Sequence, residues 1–405
     1  MKGCVRFARL MFSFVFLSTG VAAEGIYDKF KNQGLSINVY NWGEYMSNGS
    51  SGLMNGNEEF EKLLNVNKEF EKLTGIHVNY TTFASNEEMY AKISSRSVVY
   101  DVIIPSDYMI SKMISKEFLA KLDFSNIPNA KNIMPELKGL EYDPTDAYSV
   151  PYLWGTVGIV YNSREVKGKV DGFDALWDEK LKKNILMFSN SRDAFAIALK
   201  KLGVSFNTKN KEKILRAQKE LKKQKRLVQA YVMDEIFDKM QSEEALIAPC
   251  YSGIALAMIR GNKDLKFVFP KEGTNRFVDA ACVPKNSKKK EAAELYINFL
   301  NEPEVAYANA LYSDCSTPNL KAFEMLPEEI KNNKIAYPDE EILKNTQCYL
   351  FNSQELGEFI ESLWIEVLVG DENNDVWVMP VFLVICVTAV VCVGVLRSRG
   401  KRQRV

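Results

Sequence analysis

Residues 100–119 read "YDVIIPSDYMISKMISKEFL". The apolar run of residues 102–104 is too short for a helix and is closed by Pro105, so it reads as a short buried strand. A helix follows directly from Ser106. The same alternation extends upstream. "LSINVYNW" (35–42) and "IHVNYTTF" (76–83) read as strands, while "NKEFEKLTG" (67–75) reads as a helix with Phe70 and Leu73 on one face and Gly75 as its stop. "NEEMYAKISS" (86–95) suggests another helix. Strands separated by short helices imply an α/β chain with a mostly parallel sheet.

The pattern resumes further on. "KNILMF" (183–188), "ALIAPCYSG" (245–253), "KFVFP" (266–270) and "FVDAACVP" (277–284) read as strands. "SRDAFAIALKKLG" (191–203) and "KKKEAAELYINFL" (288–300) read as helices. A basic helix over 209–226 is expected to turn Ile214, Leu215 and Leu221 inward and its lysines to solvent. "EFEKL" occurs at 59–63 and again at 69–73, too brief a repeat for a solenoid. Residues 47–65 therefore read as a loop with one extra helical turn.

The ends of the chain speak to its compartment. Lys2, Arg6 and Arg9 precede an apolar run over 10–17 and the small residues Val21, Ala22 and Ala23, the layout of a signal peptide over 1–23. Residues 376–396 are uncharged and apolar, and a bilayer core takes about 20 helical residues, so a transmembrane helix is expected there. Arg397, Arg399, Lys401, Arg402 and Arg404 follow it, giving a basic cytoplasmic tail over 397–405. These features predict an extracytoplasmic domain, tethered to the membrane by a single C-terminal helix.

Of 405 residues, 52 are basic and 52 acidic, so no net charge favours nucleic acid as a partner. The span between the termini exceeds what one core usually organises, and two lobes are expected. Cys250, Cys282, Cys315 and Cys348 lie in the outer domain without zinc-like spacing, which leaves their disulfide pairing open.

Catalytic signatures are absent. The only histidine, His77, alternates with Ile76 and Val78 in a strand, a surface pattern. No nucleophile elbow, phosphate loop, zinc motif or dinucleotide fingerprint occurs, so neither an enzyme, a cofactor nor a metal is expected. What recurs instead is a carboxylate or an aromatic ring at strand ends, where open α/β sheets present ligands. Trp42, Glu44 and Tyr45 follow the first strand; Ser106, Asp107 and Tyr108 follow "DVIIP". Asp193 follows "ILMFSNSR", Tyr251 follows "LIAPC", and Phe277 and Asp279 lie in "RFVDAAC". Carboxylates answer ammonium groups, and rings cover methylenes with cation–π attraction, so the set suits an elongated organic cation. Trp154 reads chiefly as core packing, and Asp107 equally as a helix cap.

"NVYNWGEY", "VNYTTFASNEEMYAKI", "YDVIIPSDYMISKMI", "YSVPYLWGTVGIVYN" and "FPKEGTNRFVDAACVPKNSKKKEAAELYINFLNEPEVA", with "STPN" beyond, resemble the spermidine/putrescine-binding proteins of polyamine ABC transporters. The resemblance runs in order from about 36 to 368. It implies a two-lobed type II periplasmic-binding-protein fold with a hinge, closing on a polyamine that is then delivered to ABC permease subunits. Trp42, Glu44, Tyr45, Ser106, Tyr108, Asp193, Tyr251, Phe277 and Asp279 match the family's ligand-site positions. Cys315 stands where relatives place a ring, Ser189-Asn190 where they often carry an acid, and Ile254 where an aspartate is frequent. The resemblance places lobe 1 at 36–150 with 280–325 returning to it, and lobe 2 at 151–279 with 326–370 completing it. A same-fold receptor for an amino acid or sugar is the competing expectation, with an enzyme on this scaffold behind it.

Overall fold

The computed structural model describes residues 21–50 and 63–369. Its ten strands are β1 (Ser36–Trp42), β2 (His77–Phe83), β3 (Val102–Ile103), β4 (Ser149–Asn162), β5 (Ile185–Phe188), β6 (Val228–Val232), β7 (Ile247–Tyr251), β8 (Leu265–Val268), β9 (Thr274–Cys282) and β10 (Thr346–Gln347). The chain divides into two compact units. Among the described residues, the first takes 21–50, 63–157, 251–260 and 275–351, and the second takes 158–250, 261–274 and 352–369.

In the first unit β1 is central to a parallel trio, paired with β2 from Ser36↔His77 to Trp42↔Phe83 and with β3 at Val39↔Val102. The sheet then changes sense. β9 runs antiparallel to β3 at Ile103↔Cys282, and the first part of β4 runs antiparallel to β9. The expected mostly parallel sheet is therefore mixed. Ile37, Val39, Val102 and Ile103 are fully buried, as a strand covered on both faces requires. Helix Val66–Thr74 is capped by the Asn65 side chain and stopped by Gly75 at φ 73°, a left-handed conformation suited to glycine. Its Phe70 is buried edge-on against Tyr296 at 4.9 Å. His77 is exposed and pairs with Glu71 at 2.7 Å, as a surface strand position would.

The second unit has β5 parallel to both β6 and β7, and β8 antiparallel to the end of β4. Helix Lys211–Lys225 packs on the last helix, Gln354–Val369, with Gln218 Nε2 donating to Leu363 O at 3.1 Å. Ile214 and Leu221 are buried here, but Leu215 is 38% exposed, which corrects its expected inward position. Leu215 follows Ile214 and is rotated by about 100° from it, off the buried stripe. Lys211 and Lys222 pair with Glu355 and Glu366 of the last helix rather than facing only solvent.

Four stretches expected in the second lobe, 151–157, 251–260, 275–279 and 326–351, fall in the first unit. Residues 326–351 belong to the first unit, held by the Tyr337 ring against Phe323 at 4.6 Å and by Tyr337 Oη, which accepts from Thr317 N at 3.1 Å. Residues 251–260 belong there too, where Arg260 pairs with Asp314 at 2.7 Å.

The expected fold class also named a C-terminal transmembrane helix, and that part is corrected. Among the described residues no helix is long and apolar enough to cross a membrane. The last described helix has 16 residues and carries Glu355, Glu358, Glu361 and Glu366, whose charges a bilayer core would not accept. Residues 376–396 and the tail 397–405 lie outside the described residues, as do residues 1–20 of the expected signal peptide and residues 51–62 of the 47–65 loop.

None of Cys250, Cys282, Cys315 and Cys348 is in a disulfide among the described residues, so none of the open pairings forms. All but Cys315 are buried, and burial pushes the Cys250, Cys282 and Cys348 thiols well up. The thiolate is the reactive form. A maleimide at neutral pH should therefore modify at most one of these four in the folded protein and all four in denaturant, as read by peptide mass; rapid labelling of Cys282 or Cys348 in the native state would contradict their burial.

Candidate functional site

The centre of the candidate site is Asp279, in the first unit. On β9 it pairs with Leu153 of β4, just past a register shift between Pro151 and Leu153, and it bridges to Ser106 on its other side. The residue is 5% exposed. Oδ1 accepts from Ser106 Oγ and Oδ2 from Tyr45 Oη, both at 2.6 Å. Burial raises its pKa from 3.8 to about 6, against the lowering effect of these two hydroxyl donors. No cationic side chain of the described residues pairs with it. A buried carboxylate supported only by neutral donors leaves a charge that a ligand can answer.

The end of β1 and the turn after it, which bring Tyr45 to Asp279, also carry Trp42 and Glu44. Trp42 packs on Phe83 at 4.6 Å, and its Nε1 is buried without a hydrogen-bond partner among the described residues. Glu44 is exposed at φ 49°, a left-handed conformation that non-glycine residues rarely adopt and that marks constrained turns. Its Oε2 accepts from Tyr312 Oη at 2.5 Å. Tyr45 lies against Tyr152 at 5.9 Å, and Tyr152 Oη donates to the Tyr45 carbonyl at 2.6 Å, fixing the turn from below. Cys315 is half-buried beside the Tyr45 hydroxyl, its thiol pushed up to about 12 chiefly by burial.

Tyr251 and Phe277 form an edge-to-face pair, centroids 5.5 Å apart at 88°. Gly155 makes room for it: a Cβ there would come within 2.6 Å of Phe277 Cζ and 2.8 Å of Ser252 Oγ. Both rings are half-buried and present an apolar wall within the same unit.

Other residues named from the sequence have partners within their own units. Asp107 is 1% exposed; it accepts from Tyr108 N at 2.6 Å and from Tyr349 N at 3.2 Å, which ties helix Asp107–Ser115 to the segment near β10. Tyr108 Oη donates to Glu87 Oε1 at 2.9 Å. Trp154 is 2% exposed and core, with Nε1 donating to Thr317 O at 3.1 Å. Asp193 belongs to the second unit. There Asn190 caps helix Ser191–Lys201: Asp193 N donates to Asn190 Oδ1 at 2.8 Å, and Asn190 Nδ2 donates to Asp193 Oδ2 at 2.7 Å. The neutral amide at 190 thus serves the helix end and the carboxylate together.

Three participants were not anticipated. Asn86 accepts from Ser106 N and donates to Ser106 Oγ, both at 3.1 Å, so it orients the hydroxyl that meets Asp279. Tyr152 lay inside a quoted motif, "YSVPYLWG", but had no charge or strand-end position to mark it. Tyr312 had no local signal at all. A cavity of about 460 Å³ in the same unit, lined by residues including Phe124, Ile133, Lys131 and Pro151, contains none of these groups. Among the described residues no cluster of side chains could hold a metal ion.

A sequence model of the bacterial extracellular solute-binding protein family matches residues 97–346. The chain belongs to this family. As a member it is an extracytoplasmic solute-binding receptor and not an enzyme. It is 34% identical over 331 residues to the spermidine/putrescine-binding periplasmic protein of Escherichia coli K12, covering 81% of this chain and 90% of that one. It is 31% identical to the putrescine-binding periplasmic protein SpuD of Pseudomonas aeruginosa, over 77% of this chain and 86% of that protein. Among solved structures, the spermidine/putrescine ABC transporter substrate-binding protein PotD of Streptococcus pneumoniae superposes with a TM-score of 0.71 at 36% identity, covering 83% of this chain and 99% of that one.

Proposed function

We infer that this solute-binding protein captures a polyamine, spermidine or putrescine, outside the cytoplasm and delivers it to the permease subunits of an ABC transporter. The carrying observation is Asp279, a buried carboxylate held by two neutral hydroxyls with no cationic partner among the described residues. An ammonium group supplies the missing charge and its N–H donors. Glu44, on the same turn as Tyr45, offers a second carboxylate, while Trp42, Tyr251 and Phe277 offer ring faces to the methylenes between amines. The relatives above, named for spermidine and putrescine, support the same ligand class. Asp107, Tyr108 and Asp193 are proposed to support the site through their hydrogen bonds, and Cys315 to border it beside Tyr45. A signal peptide over 1–23 is the proposed route of export.

A sugar would call for neutral amides and hydroxyls, and the α-carboxylate of an amino acid would call for a cation. Neither requirement explains Asp279. The discriminating test is thermal denaturation of the full-length protein with putrescine, spermidine, glutamate, arginine or glucose. A ligand at about 100 times its Kd stabilises by about 2.7 kcal/mol, a shift of several degrees. Putrescine or spermidine should give that shift; a shift with glutamate or glucose alone would reassign the ligand.

A further inference from the structure

Tyr312 lies at the end of helix Pro303–Ser313, which closes with Asp314 at φ 56°. It is 4% exposed, yet its hydroxyl reaches the turn after β1, 268 residues away in sequence. There it donates to Glu44 Oε2 at 2.5 Å and accepts from Asn48 Nδ2 at 3.1 Å. Burial and the Glu44 charge push its pKa up to about 12, so the hydroxyl keeps its proton at physiological pH.

We propose that Tyr312 is a positioning residue, which aims the Glu44 carboxylate at a ligand ammonium without neutralising it. The proposal rests on the polyamine reading above. A lysine or arginine in this place would hold Glu44 equally well but would cancel the charge that the ligand needs. A tyrosine hydroxyl has one proton to give: it occupies one lone pair of Oε2 and leaves Oε1 free. Asn48, by donating to the same hydroxyl oxygen, directs that proton toward Glu44. Glu44 is exposed on a left-handed turn and has no ion-pair partner among the described residues, so nothing else recorded there fixes its side chain. The ordering is then complete before the ligand arrives, and the rotamer entropy of Glu44 is not charged to binding.

The test is a double-mutant cycle by calorimetry on the full-length protein, with spermidine and putrescine as probes. Tyr312→Phe should weaken binding of at least one of them by roughly two- to ten-fold, the cost of immobilising the Glu44 side chain on binding, while the melting temperature of the unliganded protein falls by no more than the loss of one hydrogen bond gives, a few degrees at most. In a Glu44→Gln background the same substitution should cost little more, because Tyr312 acts through the carboxylate. Asn48→Ala, which removes the group directing the hydroxyl, should give a smaller loss with the same dependence on Glu44. An equal Tyr312→Phe loss in both backgrounds, or no loss in either, would overturn the positioning role while wild-type binding still upholds the polyamine reading. A wild-type protein that binds neither probe would overturn both.

Discussion

Asp279→Asn should weaken polyamine binding by tens-fold or more. The substitution keeps the shape and can still accept from Ser106 or Tyr45, but it removes the charge that meets the ammonium. Losing one partner of a buried hydrogen-bonded charge pair costs about 2–5 kcal/mol. The same residue sets a pH dependence whose sign follows from its pKa of about 6 in the unliganded protein. An ammonium requires the carboxylate form. Above that pH the ligand meets a carboxylate; below it, binding must first expel a proton, and affinity should fall by up to about tenfold per pH unit. Asp279→Asn should flatten this limb.

Stability should respond in the opposite sense. Because the folded pKa lies above the unfolded value of 3.8, the group's stabilising contribution is full at low pH and is lost as the pH rises through about 6. At neutral pH the buried unliganded charge then costs about 3 kcal/mol, at roughly 1.4 kcal/mol per pKa unit. Asp279→Asn should therefore raise the melting temperature of the unliganded protein at pH 7.5 and have a smaller effect at pH 5. A melting temperature that falls equally at both values would mean that Asp279 is a structural linchpin rather than a charge held in reserve.

Trp154→Ala should cost about 3–5 kcal/mol of stability, the range for truncating a fully packed tryptophan. Trp154 does more than fill volume. Its backbone exchanges hydrogen bonds with Ser316 at 3.0 and 3.1 Å, its indole N–H meets Thr317 O, and its ring lies edge-on to Tyr337 at 6.2 Å. The residue thereby joins β4 to the segment that carries Cys315. Urea unfolding followed by circular dichroism should show a lower midpoint, with Trp154→Phe intermediate because it keeps a ring but loses the N–H. A loss below about 1 kcal/mol for the alanine variant would show that the segment is held some other way.

Local pattern carried much of the fold. The short run before Pro105, the Phe70 face and the Gly75 stop depend on neighbours in sequence, and each stands as β3 or as helix Val66–Thr74 with a left-handed cap. The sense of the sheet was less legible, since β9 and β4 turn it antiparallel through pairings more than a hundred residues apart. Residues 326–351 were misplaced for a similar reason: Tyr337 finds Phe323 and Thr317 through packing that no periodicity announces.

In the candidate site, position after a strand marked Ser106 but could not separate it from Asp107, while Asp279 lies within β9 rather than at its end. Successive residues at a helix start point in different directions; one hydroxyl meets Asp279, while the next carboxylate meets Tyr349. Tyr312 escaped because its only mark is a partner 268 residues away. Cysteine spacing was equally silent, and geometry alone shows that the four form no disulfide with one another.

The most direct measurement of the account is isothermal titration of the full-length protein at pH 7.5 with spermidine and with putrescine, repeated on Asp279→Asn. The account predicts saturable binding of at least one of them at one site per chain, weakened tens-fold or more by the substitution. No heat from either polyamine, or an affinity that Asp279→Asn leaves unchanged, would contradict it.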